Sequence, residues 1–198
     1  MYKKCKKATS IKRQKFIEEI FLKCLLIKHY EDITVSEICN LANIPRKAFY
    51  RYFETKEGVL HALIDHTLFS YEDFRSSIKT EKRTMKGDLE TYFAFWTVEP
   101  RKSLLKALDK SDLVDHLYKC SKEMTGSGLI NMSRFLPEED AWTRKQIFNF
   151  TITGLITLML DWFNDSCKQS TEEMAEIACR IISNSLVSKL EELGIYKK

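Results

Sequence analysis

A chain of 198 residues, 44% hydrophobic and 30% charged, is long enough to bury a core and too apolar to be disordered. Its net charge of +4 is unevenly placed: residues 1–56 hold 13 Lys/Arg against 6 Asp/Glu, a net +7, while residues 57–198 hold 19 against 22, a net −3. Six scattered cysteines with no CxxC pair and no clustered histidine argue against zinc, no apolar leader follows the basic start, and the uncharged stretch Ile147–Leu160 is too short to span a bilayer. The setting expected is reducing and cytoplasmic, with no metal and no membrane. Few Gly and Pro, and no alternating Val/Ile/Thr run, point to an all-α protein.

Helix one is expected from Ile11 to about Lys28, capped by Thr9 or Ser10, with Ile17, Ile20, Phe21, Cys24 and Leu25 at helical spacing. The preceding Lys-rich segment has a plain reading as a solvated tail and a functional one as a polyanion contact. Helix two opens on Thr34-Val35-Ser36-Glu37, a capping-box pattern flanked by the staple pair Ile33 and Ile38. It stops at Asn43, a residue that tolerates the left-handed conformation, and Pro45 starts helix three. On a helical wheel, Ala48, Phe49, Tyr52 and Phe53 fall on one side of helix three. Arg46, Lys47, Tyr50 and Arg51 fall on the other. Thr55 caps a longer helix, Lys56 to about Ile78, and "KTEKRTMKGD" is a polar break. Later helices are expected near Thr84, Pro100, Ser111 and Pro137, where "PEED" puts carboxylates in a first turn. Residues 142–163 are apolar nearly all round, so that helix needs cover on most sides, and Ser170-Thr171-Glu172-Glu173 opens the last helix with its own capping box.

Two short helices joined by a tight turn, the second with a cationic and aromatic outer face, make a helix-turn-helix. Arg and Lys on such a face can bond guanine O6 and N7 in the major groove, while Tyr, Thr, Ser and Lys can hold phosphates. The structural alternative is a helical hairpin with a solvated basic face.

"ITVSEICNLANIPRKAFYRYFETKEGVL" (Ile33–Leu60) resembles the DNA-binding signature of the TetR family of bacterial transcriptional regulators. The Thr-capped second helix, the turn, the "FYRYF" segment and the Lys-Glu pair opening helix four stand in order. Asn43 replaces the glycine common in the family, a change that keeps the left-handed turn. The resemblance spans about residues 10–70; beyond them only the helical architecture matches. It implies an N-terminal three-helix helix-turn-helix domain over residues 9–70, with the helix-turn-helix about 34–53. A helical ligand-binding and dimerisation domain follows over residues 71–198.

It further implies roles. Thr34 and Ser36 would contact phosphates; Arg46, Lys47, Ala48 and Arg51 would lie closest to base edges; Tyr50 and Lys56 would bind phosphates. Tyr52 would either bind a phosphate or pack. The partners implied are a double-stranded operator, a second copy meeting through helices at about 138–165 and 171–192, and a small hydrophobic effector. Tyr92, Phe93, Phe95, Trp96, Leu108, Leu117, Tyr118, Met124, Phe148, Ile152 and Met159 are candidates for the effector pocket, with plain core packing as the alternative for each. His61, His66 and His116 read as structural. Neither a nucleophile set, a phosphate loop nor HExxH is visible, so an enzyme is not expected. The function implied is a ligand-responsive repressor; the alternative is an activator or architectural regulator without a ligand.

Overall fold

The computed structural model of the chain describes residues 2–78, 84–126 and 140–182. Among them run α1 (Ala8–Ile27), a 3-10 turn (Tyr30–Asp32), α2 (Val35–Leu41), α3 (Arg46–Phe49) and α4 (Lys56–Ser77). They are followed by α5 (Met85–Thr97), α6 (Arg101–Lys110), α7 (Val114–Gly126), α8 (Ala141–Asn164) and α9 (Thr171–Ile182). The fold is all-α; among the described residues the extended pairing is an isolated bridge between Tyr2 and Phe53. None of the described helices is long and apolar enough to cross a membrane.

Side-chain oxygens set most of the helix starts. The Oγ1 atoms of Thr34, Thr55 and Thr84 accept from the backbone N–H three residues on, at 3.1, 3.2 and 3.1 Å. Ser170 and Glu173 close a reciprocal capping box, with Glu173 N–H donating to Ser170 Oγ at 3.2 Å and Ser170 N–H to Glu173 Oε2 at 2.7 Å. Three expectations give way. Lys7 occupies the N-cap of α1 and caps with no side chain, so neither Thr9 nor Ser10 caps it. At Thr34 only half of the capping box forms, because Glu37 turns to Lys28 Nζ at 2.6 Å and a charged donor outcompetes a backbone amide. Asp140 is the N-cap of α8, accepting from Trp142 and Thr143 N–H, rather than a first-turn residue; Pro137, Glu138 and Glu139 lie outside the described residues.

Three helices end the same way. After α2, Asn43 stands at φ 49°, Ile44 N–H donates to Cys39 O at 2.9 Å, and Asn43 N–H to Asn40 O at 3.1 Å. Asp112 after α6 (φ 55°) and Ser166 after α8 (φ 61°) repeat both bonds. Each is a Schellman turn, in which a left-handed residue lets the chain satisfy two orphan carbonyls and leave at a sharp angle.

The chain divides into two compact units, Met1–Tyr71 with Glu99–Met124, and Glu72–Val98 with Thr125–Lys198. In the first, α1 lies against α2 and α6, and Ile17, Phe21, Leu25, Ile38, Phe49, Phe53, Val59 and Leu60 are buried together. The N-terminal arm also belongs to it, with Tyr2 Oη donating to Asp65 Oδ2 at 2.8 Å and Lys3 N–H to Tyr52 O at 3.0 Å. The arm is thus tied down at Tyr2 and the Lys3 backbone, while the side chains of Lys3, Lys4, Lys6 and Lys7 are exposed. In the second unit α5 packs chiefly on α9, and the Phe93 ring meets Trp162 of α8 edge-on at 5.7 Å. Lys86 joins α5 to α9 through Glu172 and Glu176 at 2.9 and 2.7 Å.

Candidate nucleic-acid interface

The Schellman turn aims the candidate interface. Ile44 precedes Pro45, which disfavours a helical Ile44, so α2 does not run on into α3. Pro45 is extended (ψ 148°) and its carbonyl accepts from Ala48 N–H at 2.8 Å. Beyond Phe49 the backbone tightens to three-residue bonds, Arg51 N–H to Ala48 O at 3.3 Å and Tyr52 N–H to Phe49 O at 2.9 Å. The segment keeps two faces throughout. Phe49 and Phe53 are buried with their rings 5.5 Å apart, and they anchor it. Arg46, Lys47, Tyr50 and Arg51 are all exposed. Arg46 Nη2 donates to Tyr50 Oη at 3.3 Å, which braces both side chains one helical turn apart.

Other sequence-expected residues divide. Thr34 and Ser36 are exposed at the start of α2, and the Thr34 hydroxyl keeps a proton to donate while its oxygen caps the helix. Ala48 is buried, so its methyl faces the core and the wheel's packing side, not the groove side, describes it. Tyr52 is half-buried. Lys56 points back into the fold. Its Nζ donates to the carbonyls of Tyr30 and Glu31 at 2.7 and 3.2 Å and lies 4.2 Å over the Tyr30 ring, leaving one N–H for a phosphate. Residues outside the motif also hold it: Lys3 bonds the carbonyl of Tyr52, and Lys28 bonds Glu37 of α2. No local sequence signal marks those two.

The candidate effector residues fall in both units. Leu108 and Leu117 are fully buried in the first unit, where Tyr118 and Met124 are half-buried. Phe93, Phe95, Trp96 and Met159 are buried in the second, with Tyr92, Phe148 and Ile152 half-buried.

The histidines have partners that sequence did not reveal. His66 Nδ1 lies 2.9 Å from Glu18 Oε2, and burial raises the Glu18 carboxyl above its usual range despite that contact. His61 Nε2 lies 2.9 Å from His116 Nδ1 and 3.7 Å from Glu57 Oε1. Burial, then the neighbouring His61, holds His116 below the ordinary histidine value.

Comparison with known proteins agrees with this geometry. Residues 25–63 match the family model described as bacterial regulatory proteins, tetR family. Residues 101–184 match one described as a transcriptional regulator C-terminal region. No curated protein sequence matches the chain significantly. Among solved structures, a TetR transcriptional regulator from Streptococcus agalactiae 2603V is similar at 20% identity and a TM-score of 0.59, over 87% of this chain and 94% of that one. The fatty acid degradation regulator FadR from Bacillus halodurans is similar at 17% identity and a TM-score of 0.51, over 90% and 96%. NalD, the secondary repressor of the MexAB-OprM efflux pump in Pseudomonas aeruginosa, is similar at 14% identity and a TM-score of 0.59, over 89% and 96%. At such identities the structures speak for the fold, while the sequence models speak for descent from both ends of the chain: the protein belongs to the TetR family of bacterial transcriptional regulators, a family of DNA-binding proteins.

Proposed function

We propose that the protein is a ligand-responsive repressor that binds a pseudo-palindromic operator as a homodimer and leaves it when a small molecule binds. The observation that carries the DNA half is the exposed quartet Arg46, Lys47, Tyr50 and Arg51, set on a segment whose opposite face is buried through Phe49 and Phe53. In this reading Lys47 and Arg51 meet base edges, with Arg46 beside them. Thr34, Ser36, Tyr50, the outer edge of Tyr52 and the free N–H of Lys56 hold phosphates. Ala48 lets the segment lie close to its own core and takes no base.

The homodimer reading is supported by α8, where Trp142 and Phe150 remain 71% and 82% exposed in the single chain and Ile147 is exposed as well. Large apolar side chains left open on one helix mark an association surface. Two recognition segments would then read half-sites about 34–36 Å apart, or a multiple of that. The effector half draws on the aromatic α5 and on likeness to FadR from Bacillus subtilis, whose solved structure holds stearoyl-CoA. An effector acts only through a difference in its affinity for the two states, and about 1.4 kcal/mol of coupling shifts operator affinity tenfold.

The test is binding of the purified protein to its own promoter region. A saturable, salt-sensitive complex of two chains per site supports the reading. Absence of any salt-dependent binding, or binding by a single chain, overturns it. Reporter expression rising on gene deletion marks a repressor, and falling marks an activator.

A further inference from the structure

We propose that Glu57, His61 and His116 form a site for a divalent transition-metal ion of the zinc class, which fastens the first turns of α4 to α7. Glu57 and His61 are four residues apart on α4 and so share one face; His116 comes from α7, 55 residues further along the chain. One donor atom from each, taken together, lies within 4.8 Å of the other two. His61 Nε2 stands 2.9 Å from His116 Nδ1 and 3.7 Å from Glu57 Oε1. Ligands held at zinc-like distances in a tetrahedral shell sit about 3.3 Å from one another, so these separations bracket what such an ion requires. Two imidazole nitrogens and one carboxylate oxygen are a donor set for zinc or a neighbouring first-row ion, with water completing the shell.

The site is open on one side, since the Glu57 side chain is 56% exposed and that of His61 22%. Charges facing it come from both helices. Glu57 and Asp115 favour a cation there and Lys119 opposes it. Without an ion, the short nitrogen–nitrogen contact is a hydrogen bond in which one ring carries its proton inward. Ion binding needs both inward lone pairs, so that ring takes the tautomer with its proton outward.

Position gives the site a role. Glu57 directly follows Lys56, which is tied to the carbonyls of Tyr30 and Glu31 just ahead of α2. An ion that draws Glu57 and His61 toward His116 pulls on the same end of α4 that braces the helix-turn-helix. Operator affinity should therefore respond to metal, a clause that rests on the DNA-binding reading above; binding of the ion itself does not.

The experiment titrates the full-length, reduced, metal-free protein with Zn2+ by calorimetry and with Co2+ by visible absorption. One equivalent of Co2+ should bind, giving ligand-field bands without a thiolate charge-transfer band. His61→Gln and His116→Gln should remove the site, and Glu57→Gln, at an exposed position, should weaken it about tenfold or more. Unchanged circular dichroism of Glu57→Gln guards against misfolding. A thiolate signature, or one-equivalent binding that survives all three substitutions, overturns the proposal, as does the absence of saturable binding. Operator titrations with and without Zn2+ form the second arm. Affinity that changes several-fold with metal, and no longer does so in Glu57→Gln, supports the regulatory role. Metal binding with unchanged operator affinity overturns that role and leaves the site. Failure to bind operator under either condition counts against the DNA reading alone.

Discussion

Lys56 Nζ sits 2.7 Å from the carbonyl oxygen of Tyr30 and 4.2 Å above the centroid of the same residue's ring. One ammonium thus satisfies a turn carbonyl, a second carbonyl on Glu31, and an aromatic face. Lys56→Ala should destabilise the protein by about 1–2 kcal/mol as well as weaken DNA binding. Urea unfolding of the variant separates the two effects. A residue that only touched phosphate would leave the midpoint where it was.

The exposed quartet should behave in the opposite way. Arg46, Lys47, Tyr50 and Arg51 contribute little to the core, so alanine at each should keep stability within about 0.5 kcal/mol of the parent. Lys47→Ala and Arg51→Ala should each relax preference at one base position by about 1–3 kcal/mol, whereas Tyr50→Phe should weaken all sequences alike. Selection from a randomised half-site library, read against affinity for a fixed duplex, tells these apart. As a contrast, Phe49→Ala, at a fully buried position, should cost about 3–5 kcal/mol and abolish binding only through loss of the fold.

Of the three left-handed residues that close these Schellman turns, Asn43 and Asp112 are of types that visit that region more easily than Ser166. Ser166→Gly should stabilise by about 0.5–1 kcal/mol, because relief of the Cβ clash outweighs the added freedom of glycine in the unfolded chain. Asn43→Gly and Asp112→Gly should each gain less, since Asn and Asp bond locally and tolerate the conformation. Thermal melts of the three variants under one buffer give the order directly.

Glu18 supplies the pH prediction. Burial raises its carboxyl in the folded protein above the unfolded value, so the folded state binds that proton more tightly. The associated stability is present at low pH and is lost as pH rises through the folded value. Glu18→Gln removes this dependence. The stability of the parent relative to Glu18→Gln should therefore fall as pH rises from the unfolded carboxylate value through the raised folded one, as urea unfolding at several pH values would record. A relative stability that rises over that range would contradict the sign.

What sequence revealed and what it hid follow one physical line. Thr34, Thr55, Thr84 and Ser170 cap residues three positions away, and Asn43 and Pro45 act on their own dihedral angles. Contacts so short in sequence are legible as patterns. The two faces of residues 46–53 were legible for the same reason, because helical spacing alone sorts them. Lys56 reaches back 26 residues to Tyr30, Tyr2 reaches 63 to Asp65, and His61 meets His116 across 55. Those meetings depend on how helices pack, which no local spacing encodes. Glu37 shows the same limit at close range: its pattern predicts a reach-back to the Thr34 amide, and Lys28, just past the end of α1, claims it instead.

The first compact unit is assembled from two separate stretches of chain, with α6 laid against α1. This has a practical meaning for anyone exchanging N-terminal and C-terminal portions between relatives. A chimera joined at the end of the helix-turn-helix segment would take α1 from one parent and its packing partner α6 from another, leaving α1 to meet a foreign surface. Grafts that carry residues 99–124 along with the N-terminal helices keep that core with a single parent.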